Sequence, residues 1–377
     1  DLAMSYGQLE RKLVWTTARG KEVRIDSRRL VSFTESAVAC LVYRVTILDP
    51  EGAKVELHSI IEGNTQNKAG GDDPRLPRGS QSPTLLILDM QIDLDEQLLQ
   101  LRERTVHSGL SLAVAIAHRS NAALDRGATA AANTDADPVK AQRPRLVYSK
   151  QLTGLESLEV DKYIAFADSR TTPEQELDAA VRQLAFAARE KGYDSLREAQ
   201  QAYLDTFWSR AQIRLQGDVA LQQGLNFSSY HLLQSAGRDG LTSVAAKGLS
   251  GEGYLGHYFW DTEMYMFYFY LYSMPELARA LLAYRYSILD QARDRAILMG
   301  HSRGALFPWR TISGRECSAY FPAGTAQAHI NGDIALAAQA YLEATDDRDF
   351  LWTMGLEILL ESAVYYLDLG FYDKRGF

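Results

Sequence analysis

A chain of 377 residues, 46% hydrophobic and with 48 acidic against 40 basic side chains for a formal net charge of −8, is long enough for two globular domains. Interspersed charge of that sign argues against a nucleic-acid partner, which needs clustered Lys and Arg, and no run approaches the ~18 uninterrupted apolar residues of a membrane span. Two cysteines, Cys40 and Cys317, exclude a disulfide framework and a four-thiolate zinc site, and make a cytoplasmic location the expectation. The opening residues, DLAMSYGQLERKL, carry neither a basic nor an apolar leader region. Residue 1 is not Met and the chain stops at DKRGF, so both ends read as cut.

Residues 1–170 read as β-structure. In AVACLVYRVTILD, residues Ala39, Leu41, Tyr43, Val45 and Ile47 fall on one face and Arg44 and Thr46 on the other, the period of a half-buried strand. Similar runs follow at VELHSIIEGN, SLAVAIAHRS, PRLVYSKQL and VDKYIAFADS. The polar stretches KAGGDDPRLPRGSQSP and ALDRGATAAANTDADPVKAQRP separate them as loops. Short strands with long connections predict an antiparallel sandwich.

The texture changes at Thr171. TTPEQELDAAVRQLAFAAREKGYDSLREAQQAYLDTFWSRAQ has Pro173 near a start, acids in the first turn and apolar residues at helical spacing. Further on, Ser273 and Glu276 match a capping box ahead of the stripe Leu277, Leu281, Tyr284 and Ile288. Ile330, Ile334, Ala337 and Tyr341 make a second stripe, and the helix-like run from Asp347 ends on Gly370 as a C-cap. Between the helices lie loops rich in Gly, Trp, His and acids, a pattern suited to hairpins around a shared site.

Three chemistries can be weighed in those loops. GEGYLG fits G-x-G-x-x-G by letter, but AAKGLS precedes it and HYFWD follows, which is not the strand and helix of a dinucleotide site. His329 and Asp333 share a helix face, yet no HExxH or Cys/His cluster accompanies them, so they read as a hydrogen-bonded pair and no metal is expected. A serine nucleophile is not signalled either, and Cys317 has no partner signature. What remains is carbohydrate, because a sugar presents apolar C–H faces and a rim of hydroxyls to aromatic rings and paired polar groups. GHYFWDTE, LFPWRTISGRECS and FPAGTAQAHINGD supply that mixture.

The stretches GLSGEGYLGHYFWDTEMY and GALFPWRTISGRECSAYFPAGTAQAHINGDIA, with RLVSF in the strand region, resemble glycoside hydrolase family 65. The resemblance covers nearly the whole chain and is strongest over residues 248–333. It implies a multidomain β-then-α fold: an N-terminal antiparallel β-sandwich at 1–170, a helical linker at 171–218 and the first part of an (α/α) barrel at 219–377, incomplete in this chain. The implied activity is inverting phosphorolysis of a maltose-, trehalose- or kojibiose-like α-glucoside to β-glucose 1-phosphate, with acid-trehalase-like hydrolysis as the alternative. By resemblance, Trp260 packs on the glucosyl ring and Asp261 accepts from its hydroxyls. Trp309 and Arg310 match the next motif, Glu316, His329 and Asn331 are further candidates for the cavity wall, and Glu263 reads as support. The family's general acid is a Glu in a TGPDEY-like segment, expected beyond Phe377 together with the phosphate-binding segment and the C-terminal domain. No catalytic residue is therefore assigned within the chain, and an inactive carbohydrate-binding fragment is a third reading. Inorganic phosphate is the implied co-substrate, no cofactor is expected, and the family makes a homodimer the expectation for assembly.

Overall fold

The computed structural model describes residues 1–63, 84–133, 143–249, 253–318, 326–371 and 374–375. They form two compact units, β first and then α, the first running to Thr206 and the second starting at Phe207.

In the first unit, strands β1 (Leu2–Ala3), β2 (Gln8–Thr16), β3 (Glu22–Val31), β4 (Val38–Ile47), β6 (Leu85–Asp93), β7 (Leu98–Thr105), β8 (Ser111–Ser120) and β10 (Ser157–Asp168) make one sheet. Its order is β1-β2-β3-β4-β10-β8-β7-β6, antiparallel at every pairing. Strands β5 (Ala53–Ile60) and β9 (Arg145–Leu152) form a separate antiparallel ladder. Leu57, Leu146, Tyr148 and Leu152 of that ladder share a core with Val45, Ile47, Leu99, Leu101, Val114 and Ile116 of the large sheet.

The opposite face of the sheet is covered by α2 (Leu177–Ala211), which α1 (Arg126–Ala132) precedes in the chain. Strand β8 shows how the sequence prepares both faces. Val114 and Ile116 enter the core shared with the ladder, while Ala113, Ala115 and Ala117 turn to the helix and meet Leu177, Val181 and Ala185. Small residues on that face let the helix lie close to the sheet. Buried Gln200 fastens the C-terminal half of α2, donating to the carbonyls of Tyr6 and Gly7 and accepting from the Phe33 N–H. Gly192 breaks the helix with φ +78°, a conformation open to glycine at little cost.

This arrangement corrects the half-buried reading of β4. Both of its faces are covered: Val38, Cys40 and Val42 pack under α2, Val45 and Ile47 pack toward the ladder, and Thr46 is buried too. Strands β2, β3, β6 and β7 were not among the expected runs: the exposed positions of β2 and β3 include several charges, those of β6 include Leu86, Leu88 and Ile92, and β7 has no exposed position, so none of them shows a clean apolar alternation. Within the expected loop at 123–144, residues 126–132 form α1, which Asp125 caps by accepting from the Ala128 N–H at 2.9 Å. The expected loop KAGGDDPRLPRGSQSP lies outside the described residues.

The second unit contains α3 (Val219–Ser235), α4 (Phe267–Ser273), α5 (Pro275–Ser287), α6 (Leu289–Leu298), α7 (His329–Thr345) and α8 (Arg348–Leu369). Both predicted stripes are buried: Leu277, Leu281, Tyr284 and Ile288 on and just after α5, and Ile330, Ile334, Ala337 and Tyr341 on α7. The capping box is not formed. Ser273 closes α4 by donating to the Phe269 carbonyl at 2.6 Å, and α5 instead starts with Pro275 in its first turn. Gly370 does cap α8, with an extended rather than a left-handed backbone. By length and composition α8 is apolar enough to cross a membrane, but Phe350, Ile358 and Tyr365 are buried within the unit. Its Glu357 and Glu361 are also ion-paired to Arg293 of α6.

Candidate functional site

Two of the three aromatic loops are joined by a short ladder. Strand β11 (Tyr258–Phe259) pairs antiparallel with β12 (Arg310–Thr311), Tyr258 opposite Thr311 and Phe259 opposite Arg310. Trp260 thus follows one strand directly and Trp309 precedes the other. The Phe259 ring meets Trp309 edge-on at 5.5 Å, and Trp260 meets His329 edge-on at 4.7 Å. Trp260 and Trp309 both rest, half-buried, on a floor of Ile288, Phe307, Ile330, Ile334 and Ile358. Three sequence-distant loops therefore converge on one apolar base.

Asp261 stands where the chain leaves this ladder for a π-helical turn, Thr262–Met266, that runs into α4. Such turns are rare and recur at functional sites. Its carboxylate is exposed and accepts no hydrogen bond among the described residues. Glu263, two positions on, is its opposite: fully buried, with Arg285 Nε at 2.9 Å from one oxygen and Nη2 at 2.6 Å from the other.

Glu316, Arg310 and Asn331 are engaged with backbone. Glu316 accepts from the N–H groups of Trp309 at 2.7 Å, Ser318 at 2.9 Å and Arg310 at 3.4 Å, so it clamps the second loop. Arg310 is 8% exposed and donates through Nη2 to the Tyr254 carbonyl at 3.3 Å. That carbonyl also receives the N–H and Nδ1 of His257, at 3.0 and 2.7 Å. Tyr254 and Leu255 hold left-handed φ values of +61° and +53°, a local strain that these bonds at the Tyr254 carbonyl help to hold in place. Burial, with the Arg310 charge beside it, keeps the His257 pKa below the ordinary histidine value.

Asn331 is fully buried, accepting from Phe307 N–H at 3.0 Å and donating to the Ala305 carbonyl at 2.5 Å. It braces the loop rather than facing solvent. His329 is half-exposed on α7, with Nδ1 2.7 Å from Asp333 and Nε2 2.7 Å from Gln327, the hydrogen-bonded pair read from the sequence plus one partner more. Residues 319–325 of the third loop and residues 250–252 before the first lie outside the described residues. At Gly304 the loop backbone lies directly on α8, where an added Cβ would come within 2.4 Å of the Tyr365 nitrogen.

Sequence reading missed Arg285. A signal was present, since Arg285 lies four positions after Leu281 and three before Ile288, within the apolar stripe of α5. A charge on such a stripe calls for a buried counter-ion. By contrast, the hollows of about 690 Å³ and 640 Å³ belong to the sheet unit, where Lys12, Arg24 and Arg44, or Arg126 and Arg182, already face acids.

Comparison with known proteins decides the family. Residues 1–207 match the N-terminal domain of glycosyl hydrolase family 65, and residues 226–376 match its central catalytic domain. The chain belongs to glycosyl hydrolase family 65. Among family 65 relatives, it is 40% identical to the α,α-trehalose phosphorylase of Thermoanaerobacter brockii, covering 98% of this chain and 46% of that one. It is 41% identical to the enzyme of the same name from Geobacillus stearothermophilus, covering 100% and 47%. A kojibiose phosphorylase of Caldanaerobacter subterraneus is 32% identical over 97% and 48%. The family fold is matched by the structure of a putative kojibiose phosphorylase from human microbiome, with a TM-score of 0.83 at 23% identity, covering 100% of this chain and 46% of that one. The chain spans about half the length of these family 65 relatives.

Proposed function

We propose that this chain provides the glucosyl-binding half of an inverting disaccharide phosphorylase that uses inorganic phosphate to release β-glucose 1-phosphate from an α-glucosyl disaccharide. The observation that carries the proposal is the lip at Trp260 and Asp261: a ring resting on an apolar base beside an exposed carboxylate with no hydrogen bond among the described residues. A sugar ring meets both needs at once, packing its C–H face on the indole and donating hydroxyls to the carboxylate. The relatives at 40% and 41% identity make α,α-trehalose the first substrate to test.

In this reading phosphate is the nucleophile, so the protein needs only one general acid for the leaving oxygen. We place that acid outside residues 1–377, in the TGPDEY-like segment that the family resemblance implies; within the site Glu316 is taken up by backbone N–H groups and Glu263 by Arg285. The same proposal has the enzyme work in the cytoplasm as a homodimer, without a cofactor. The test is phosphate dependence in the protein extended to the length of its relatives. With trehalose and phosphate, β-glucose 1-phosphate should appear, with its anomeric configuration read by NMR. Glucose release at an equal rate without phosphate would replace the proposal with hydrolysis.

A further inference from the structure

Arg285 makes three bonds that enclose one short segment. Two go to the Glu263 carboxylate, at 2.9 and 2.6 Å, and the third runs from Nη2 to the Phe259 carbonyl at 3.2 Å. The residues between those anchors are Trp260, Asp261 and Thr262. The Glu263 N–H closes the segment from within, donating to the Trp260 carbonyl at 3.1 Å. Both charged side chains have no solvent exposure, and Arg285 Nη1 is buried without an acceptor among the described residues.

A buried ion pair is a poor device for stability alone, because desolvation offsets most of its attraction and an apolar pair of similar size often serves as well. It is a good device for fixing position, since a guanidinium fork holds its acceptors in a set plane. The rest of the lip needs such a device. Strand β11 is two residues long and the segment after it is a π turn, so few backbone bonds hold Trp260 and Asp261.

We infer that Arg285 and Glu263 are positioning residues of the glucosyl site, holding both ends of the 260–262 segment so that the Trp260 ring and the Asp261 carboxylate meet the same sugar. The inference rests on the proposed phosphorylase reading. Neither residue touches the substrate. Both act through the backbone of Phe259 and the π turn.

Two variants of the full-length protein test it. Arg285→Lys keeps a charge opposite Glu263 but lacks the fork that also reaches Phe259. It should lower kcat at least about tenfold with a smaller change in KM, because a small displacement of a sugar-binding group falls mainly on the transition state. Its melting temperature should stay within a few degrees of wild type. The paired change Glu263→Leu with Arg285→Met replaces the ion pair by apolar volume and should show at least the same kinetic loss in a folded protein. Wild-type kcat and KM in folded Arg285→Lys would overturn the inference whatever the double variant does. Binding of trehalose, followed by tryptophan fluorescence, separates the two readings. A wild-type protein that neither binds nor cleaves α-glucosides removes the phosphorylase proposal and this one together. Binding and turnover in wild type, with both unchanged in the variants, removes only this one.

Discussion

The sheet unit and the helical unit satisfy their backbones in different ways. In the sheet unit the ladders do most of it, and side-chain ion pairs such as Arg24 with Asp26 and Arg44 with Glu159 sit partly in solvent on the outer surface. In the helical unit the loops have almost no ladder, and polar side chains take its place: Glu316 and Asn331 bond to N–H groups, and Arg285 and Arg310 to carbonyls. Buried backbone groups must find partners somewhere. A loop that has to hold a fixed shape around a ligand therefore draws on side chains that, in sequence, look like ligands themselves.

That contrast can be broken at defined points. The largest effect should come from Asn331→Ala, which leaves the Phe307 N–H and the Ala305 carbonyl buried without their partner; a loss of about 3 kcal/mol in urea unfolding of the helical unit is expected. Asp261→Ala should do the reverse, cutting kcat/KM of the full-length enzyme by ~10²-fold, about 2.7 kcal/mol of transition-state binding, while the melting temperature hardly moves. A large drop in melting temperature with unchanged kinetics would put Asp261 among the braces instead.

A buried polar cluster around His118 in the sheet unit should have a smaller effect. His118 is almost fully buried, with Nδ1 2.8 Å from the Gln97 carbonyl and Nε2 2.7 Å from Ser59 Oγ. Burial pushes its pKa from 6.5 down to about 3. The unfolded chain takes up this proton as pH falls below 6.5 and the folded chain does not until near pH 3, so stability is lost across that window on acidification. Between pH 7 and pH 5 the His118 share of that loss is about 2 kcal/mol, which urea midpoints of wild type and His118→Gln should reveal as a flatter dependence in the variant. Arg44→Ala marks the small end of the scale. Its pair with Glu159 is 46% and 28% exposed, so less than ~1 kcal/mol is expected from the same unfolding measurement.

Much of the architecture was legible in advance. The strand at β8 and the stripes on α5 and α7 appear as read, although β8, like β4, is covered on both faces. Where reading failed, a distant partner was the cause. The period of β4 suggested one wet face because the covering helix comes about 140 residues later, and the capping box at Ser273 gave way to a proline start. In the candidate site, Trp260, Asp261, Trp309 and His329 come together around one apolar base or at its edge, and the family drawn from their motifs is the family the chain belongs to.

The order of β and α segments, the positions of the aromatic loops and the family were written in local pattern, since period, turn residues and long motifs lie within short stretches of chain. Which acid faces solvent and which is locked away was not. GHYFWDTEMY places Asp261 and Glu263 two positions apart with nothing to separate their roles. Only the packing of α5 beneath that segment turns Glu263 inward to Arg285 and leaves Asp261 at the lip, because a charge can be buried only where its partner already is.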